Sequence, residues 1–167
     1  MSVPHSAVAL VRTGSGWRGQ EIDLDDVDDL DGLAEIMSDF GAGDPDALVI
    51  CFVEEDDEWL GVVRLVPDGD PQVFLSDARL AEDSDLAARL FAEALPVVGE
   101  EADDEEGERR RTPSDPAGDL GIAADLGVSP DALVELIAEE GFLPSDIVTA
   151  ICERAGAAEV LDELRGT

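Results

Sequence analysis

Residues 48–79, LVICFVEEDDEWLGVVRLVPDGDPQVFLSDAR, constrain the fold more than any other stretch of this sequence. Positions 48–53 are apolar almost without interruption. A run that short, with no polar side, suits an interior strand covered on both faces. Five consecutive carboxylates follow, Glu54, Glu55, Asp56, Asp57 and Glu58. Like charges in a row stay in water, which makes this segment the tip of a hairpin. Residues 59–66 return as a second strand. Pro67-Asp68-Gly69-Asp70-Pro71 then turns the chain again, because Asp-Gly suits a type I′ turn and the prolines stop either strand from extending. Residues 72–75 complete a three-stranded meander.

Upstream, residues 7–12 (AVALVR) have strand character, and Thr13-Gly14-Ser15-Gly16 supplies the glycines for a tight return. From Trp17 onward, Trp17, Gly19, Glu21 and Asp23 alternate with Arg18, Gln20, Ile22 and Leu24, the period of a strand. The period changes after Asp25. Val27, Leu30, Leu33, Ala34, Met37 and Phe40 recur at helical spacing, acidic residues crowd the opening turn, and Gly41 can end the element. Asp29, Asp31 and Gly32 match three positions of a calcium loop. Val27 and Ser38 stand where its first and last carboxylates belong, which rules that site out.

Residues 84–95 read as a second helix, with Leu86, Leu90, Phe91 and Ala94 on one face. The expected class is therefore α+β: an antiparallel five-stranded sheet with two helices, in the order strand, strand, helix, three strands, helix. The simplest arrangement packs those helices on one face of the sheet. Residues 1–98 form this domain. Residues 99–118 (GEEADDEEGERRRTPSDPAG) bury too little apolar surface to offset chain entropy and are expected to be an acidic, disordered linker. Residues 119–167 are a small helical domain of three segments. The first opens at Ser129-Pro130, with Leu133, Leu136 and Ile137 inward. The second opens at Leu143-Pro144 and closes at Gly156, and the third spans 157–165. Helices this short must pack on each other, on the sheet or on a partner.

Charge narrows the functional classes. The chain of 167 residues has 42 acidic residues against ten basic ones, a formal net charge of -32 at pH 7, and every basic residue is Arg. The excess holds in each of the three segments, so it coats the folded parts. A surface of that sign repels phosphate backbones and anionic lipid and attracts basic proteins. Direct nucleic-acid binding is not expected, nor is membrane binding, since no apolar run approaches spanning length. A cytoplasmic location follows. Cys51 and Cys152 each lie in an apolar run and read as buried reduced thiols. His5, alone of its type, has no catalytic partner in sequence.

The Glu54 to Glu58 tip with Trp59 is the candidate partner-binding surface, while both Trp17 and Trp59 read first as core anchors. No catalytic, cofactor or metal site is expected. The sequence itself leaves three functions open: an acidic partner of one basic protein, a nucleic-acid mimic directed at another, and a carboxylate or metal-dependent hydrolase.

Three segments, WRGQEIDLDDVDDLDGLAEIM, FVEEDDEWLGVVRLVPDGDPQVFLSDAR and DLGVSPDALVELIAEEGFLPSDIVTAICERAG, resemble the actinobacterial family of tRNA adenosine deaminase-associated proteins. The resemblance covers nearly the whole chain outside 99–118. It implies association with the enzyme that converts adenosine to inosine in tRNA anticodons, as a binding or regulatory partner and not as the catalyst. The residues agree with that division. A zinc deaminase needs His-x-Glu and Pro-Cys-x-x-Cys, whereas His5 is followed by Ser6 and Ala7, and neither cysteine has a cysteine neighbour.

Overall fold

The structure is a computed structural model and describes residues 5–14, 16–24, 27–41, 47–55, 59–65, 71–76, 90–91, 117–118, 121–138 and 143–164. The expected strands are present in the expected order: β1 (His5–Thr13), β2 (Gly16–Ile22), β3 (Leu48–Glu55), β4 (Trp59–Arg64) and β5 (Gln72–Leu75). A two-residue β6 (Ala117–Gly118) joins at the edge, from the last two positions of the segment read as linker. The sheet is antiparallel, with spatial order β2-β1-β3-β4-β5-β6. Residues 99–116 lie outside the described residues.

The apolar run of β3 sits at the centre and is buried from Leu48 to Val53. Its side chains alternate between two separate cores. Val49, Cys51 and Val53 join Ala7, Ala9, Val11, Trp59, Val63, Val73 and Leu75 on one face. Leu48, Ile50 and Phe52 join Leu10, Leu60, Val62 and Phe74 on the other. Each face is sealed by its own helical layer.

The first layer is α1 (Leu30–Phe40), which lowers Leu33 and Met37 onto the sheet. It begins at Leu30, three residues after Val27, where its apolar spacing starts. Asp29 adopts an extended backbone, and its carboxylate accepts from the Gly32 amide at 2.9 Å, which makes it the N-cap. The preceding chain instead turns at Leu24, whose carbonyl accepts from the Val27 amide, and Val27 is buried without being helical. Of the second expected helix only Leu90 and Phe91 fall among the described residues; both are helical and buried in this core. Phe91 meets Trp59 edge to face at 6.0 Å. Gly61 leaves room for this ring, since a Cβ there would stand 2.5 Å from Phe91 Cζ.

The second layer comes from the C-terminus: α2 (Pro130–Ala138), α3 (Pro144–Ala155) and α4 (Ala158–Leu164). Ser129 Oγ accepts from the Ala132 amide at 3.1 Å, the cap expected from Ser-Pro, and Gly156 ends α3 with a φ of 87°. The Asp146 carboxylate accepts from the Leu143 amide at 3.0 Å and secures the start of α3. Between β6 and α2, Ile122, Ala123, Leu126 and Val128 form a buried connection around a 3-10 turn at Ala124–Leu126. The sequence reading gives no element there. The two helices expected on one face of the sheet, α1 and the segment holding Leu90 and Phe91, do share that face, and the C-terminal helices, whose docking the sequence left open, cover the other. The reason lies in β3, β4 and β5, whose residues are apolar on both sides and leave no face fit for water.

Leu133, Ile147, Val148, Ile151 and Leu161 are nearly inaccessible, and most of what covers them is sheet and neighbouring helix. At about 1.5–3 kcal/mol per buried aliphatic side chain, this contact outweighs anything the short helices contribute alone. A chain truncated after residue 98 would expose Leu10, Ile50, Phe52, Leu60, Val62 and Phe74 together. The truncated form is expected to bind a hydrophobic dye strongly and to aggregate on gel filtration, while the full chain does neither. A soluble, dye-silent truncation with native-like near-ultraviolet dichroism would contradict this account.

Candidate protein-binding surface

The carboxylate tip divides between strand and turn. Glu54 and Glu55 lie in β3, half-buried, in register with Leu60 and Trp59 of β4. Asp56, Asp57 and Glu58 lie outside the described residues. Trp59 donates from its indole Nε1 to Glu55 Oε1 at 2.9 Å, and its ring, 1% exposed, is part of the core. The Glu55–Trp59 pair therefore stitches the end of the hairpin. Trp59 offers no face to a partner.

Trp17 has the same kind of role on the other side of the sheet. Its indole donates to the Ala155 carbonyl at 3.2 Å, and so ties β2 to the end of α3. The Arg12 guanidinium stacks over the ring, 5.6 Å from its centre. Arg18 stacks over Phe40 at 5.2 Å and reaches the Phe40 carbonyl at 3.4 Å, where a cation complements the C-terminal end of α1. Arg64 donates to both Asp125 oxygens, at 2.5 and 2.6 Å, and to the Ile122 carbonyl at 2.9 Å. It clamps the connection between β6 and α2 onto β4. Sequence reasoning missed this contact; the Ile122 and Leu126 spacing and Gly127, with a φ of 103°, are the signals that mark a structured turn there.

Three of the described arginines are thus engaged with the protein itself. The carboxylates occupy the outside. On α1, Asp31, Glu35 and Asp39 recur every fourth residue on the exposed side. Asp131 and Glu135 do the same on α2, and Glu159, Asp162 and Glu163 are exposed on α4. Among the described residues no three His, Cys, Asp or Glu side chains are gathered so as to hold a metal ion. Asp29, the residue that fits a calcium-loop position, is the helix cap described above.

Cys51 and Cys152 are both buried free thiols. Burial pushes the Cys51 thiol up to about 12, against a weaker opposing effect of a backbone hydrogen bond from Val8. Its thiolate is suppressed, and nucleophilic chemistry at this position is foreclosed in the folded protein. The folded value lies above the ordinary one, so the advantage of the neutral thiol is complete below the unfolded value and lost as pH rises through the folded one.

The described residues form an α+β fold with a sheet covered on both faces, carboxylates on the outer sides of its helices, and Arg12, Arg18 and Arg64 in contact with other parts of the chain. The chain matches, over residues 5–158, the family described as Rv3753c-like tRNA adenosine deaminase-associated protein, and it belongs to that family. No match was found among curated proteins or among solved structures.

Two measurements follow from this geometry. The Asp125 carboxyl is held below the usual carboxylate range, chiefly by hydrogen bonds from Arg64, with burial opposing and the charges of Arg64 and Arg12 assisting. Asp125 is 54% exposed, so solvent screens the pair and its worth is about 1 kcal/mol or less. A depressed folded value means this stability is present above the unfolded carboxylate range and disappears as pH falls through the folded value. Urea denaturation should therefore find Asp125→Asn less stable at neutral pH, with the gap closing in acid; a gap that widens in acid would refute the assignment. For the cysteines, a thiol reagent should leave both unlabelled in the native protein at about pH 8 and label both once the chain unfolds. Rapid native labelling of Cys51 would contradict its burial.

Proposed function

We propose that this protein is a non-catalytic binding partner of tRNA adenosine deaminase, acting in adenosine-to-inosine modification in the cytoplasm. The family match across residues 5–158 carries this reading, because the family is described by its association with that enzyme. The chemistry of the chain supports the same division of labour. With a formal charge of -32 it opposes a phosphate backbone, so an association with a tRNA enzyme runs through the enzyme and not through its substrate. An enzyme that grips tRNA presents a basic face, and an acidic body steers toward such a face and competes there with nucleic acid.

The test mixes purified full-length protein with purified deaminase from the same organism and measures association at low salt and at about 0.5 M salt, where the Debye length shrinks to a few ångströms. Association at low salt that weakens at least about tenfold at high salt, and that tRNA displaces, is the expected result. No complex at low salt would overturn the partnership. Equal binding to unrelated basic proteins would replace it with a general nucleic-acid mimic.

A further inference from the structure

Strand order leaves β2 at the edge of the sheet. The direction of each of its backbone groups follows from the register. The Leu65 amide donates to the Val49 carbonyl, so Val49 and every second residue of β3 bond toward β4. Leu48, Ile50 and Phe52 then bond toward β1, through Arg12, Leu10 and Val8. Val11 and Ala9 consequently face β2, where they meet Arg18 and Gln20. That alternation leaves the N–H and C=O groups of Trp17, Gly19 and Glu21 pointing away from the sheet. Among the described residues these groups have no hydrogen-bond partner.

Open edges are ordinarily blunted by prolines, lysines, bulges or extreme shortness. This one has none of them. It runs seven residues, GWRGQEI, and its pairing with β1 is unbroken from Thr13↔Gly16 to Ala7↔Ile22. Its own Arg and Glu balance, so the strand is locally neutral within a strongly acidic chain.

The flank of the edge says what kind of strand would be accepted. Helix α4 lies over β2, with Val160 and Leu164 against Gly19, whose missing side chain lets the helix come close: a Cβ there would stand 2.5 Å from Leu164 Cδ1. Leu161 points into the core. At 100° per residue, Glu159 and Glu163 fall nearly opposite Leu161, on the outer side of α4, and both are exposed. Glu21 adds a third carboxylate on the same face of the sheet.

We propose that β2 is a docking edge that accepts an extended basic segment of a partner protein as an added antiparallel or parallel strand. Main-chain bonds to Trp17, Gly19 and Glu21 supply the attachment, and alternate Lys or Arg side chains of the added strand meet Glu21, Glu159 and Glu163. A second copy of this chain is a poorer occupant, since it would bring its own Glu159 and Glu163 to the same seam. The inference rests on the reading of the protein as a partner of a basic protein, and gives that reading a surface.

The probe is a labelled peptide of about ten residues with alternating Lys and Val, long enough to pair all of β2, added to the full-length protein. Binding is followed by fluorescence anisotropy and by residue-resolved amide exchange. The amides of Trp17, Gly19 and Glu21 are expected to slow by about tenfold or more, while those of Arg18 and Gln20, already bonded to β1, stay unchanged. The same peptide N-methylated at every residue keeps its charge, loses its donors and should no longer bind. Glu21→Pro removes one outward donor and should weaken binding about tenfold, whereas Glu21→Gln, which keeps the donor, should weaken it by less than about threefold.

Equal binding of the N-methylated peptide would overturn the proposal, because attraction is then diffuse charge alone. Protection of the three amides without peptide, in a protein that sediments as a dimer, would assign the edge to a second copy instead. Capture of the deaminase distinguishes the two levels of the argument. If wild type and Glu21→Pro capture it equally, the edge is not the docking surface and the partnership stands. If neither captures it while the peptide still protects the edge, the partnership fails and the edge stands.

Discussion

The burial of β3 on both faces is the constraint on which the rest of the structure depends. Its residues alternate between two cores, and neither set can face water without giving up roughly 1.5–3 kcal/mol for each large side chain exposed. A central strand of this kind obliges the chain to supply two layers. The first comes from nearby, in α1 and the helical residues Leu90 and Phe91. The second comes from the far end of the chain, after 99–118, and makes the C-terminal helices part of a core that the sheet shares. Close approach in each layer depends on a glycine: Gly61 beneath Phe91, and Gly19 beneath α4.

Charge is distributed by the same logic. Carboxylates cannot enter either core unpaired, so they are displaced onto the outer sides of the helices, where water and salt screen their mutual repulsion. Three of the described arginines hold elements in place: Arg64 joins β4 to the turn at Asp125, Arg12 covers Trp17, and Arg18 meets the end of α1. The family to which the chain belongs is described as tRNA adenosine deaminase-associated.

Some of this was legible in the sequence because it rests on local patterns. Turn residues and alternating apolar positions placed β1 to β5, and Ser129-Pro130 and Gly156 marked helix boundaries with local hydrogen-bonding causes. The start of α1 was misplaced because several acidic residues before Leu30 are equivalent as letters, and only the backbone angle and the bond to Gly32 select Asp29 as the cap. Of the proposed binding tip, the solvated character of Glu54 and Glu55 was read too simply. Glu55 accepts from the indole of Trp59, four residues on, whose ring belongs to the first core. The turn at 121–128 escaped notice because its stability comes from Arg64 and the sheet, neither of which lies near it in sequence.

The sequence by itself determined β1 to β5, α1 and the three C-terminal helices, their order, the dominance of acidic charge and the absence of a zinc-deaminase motif. Each of these follows from residue type and spacing over a few positions. The tertiary structure alone decided that the C-terminal helices close the second face of the sheet, that Arg64 meets Asp125, and that β2 is an outer strand with three residues' backbone groups directed away from β1. Those facts concern which distant segments become neighbours. Burial energy is shared across the whole molecule, so no local window of sequence contains the answer.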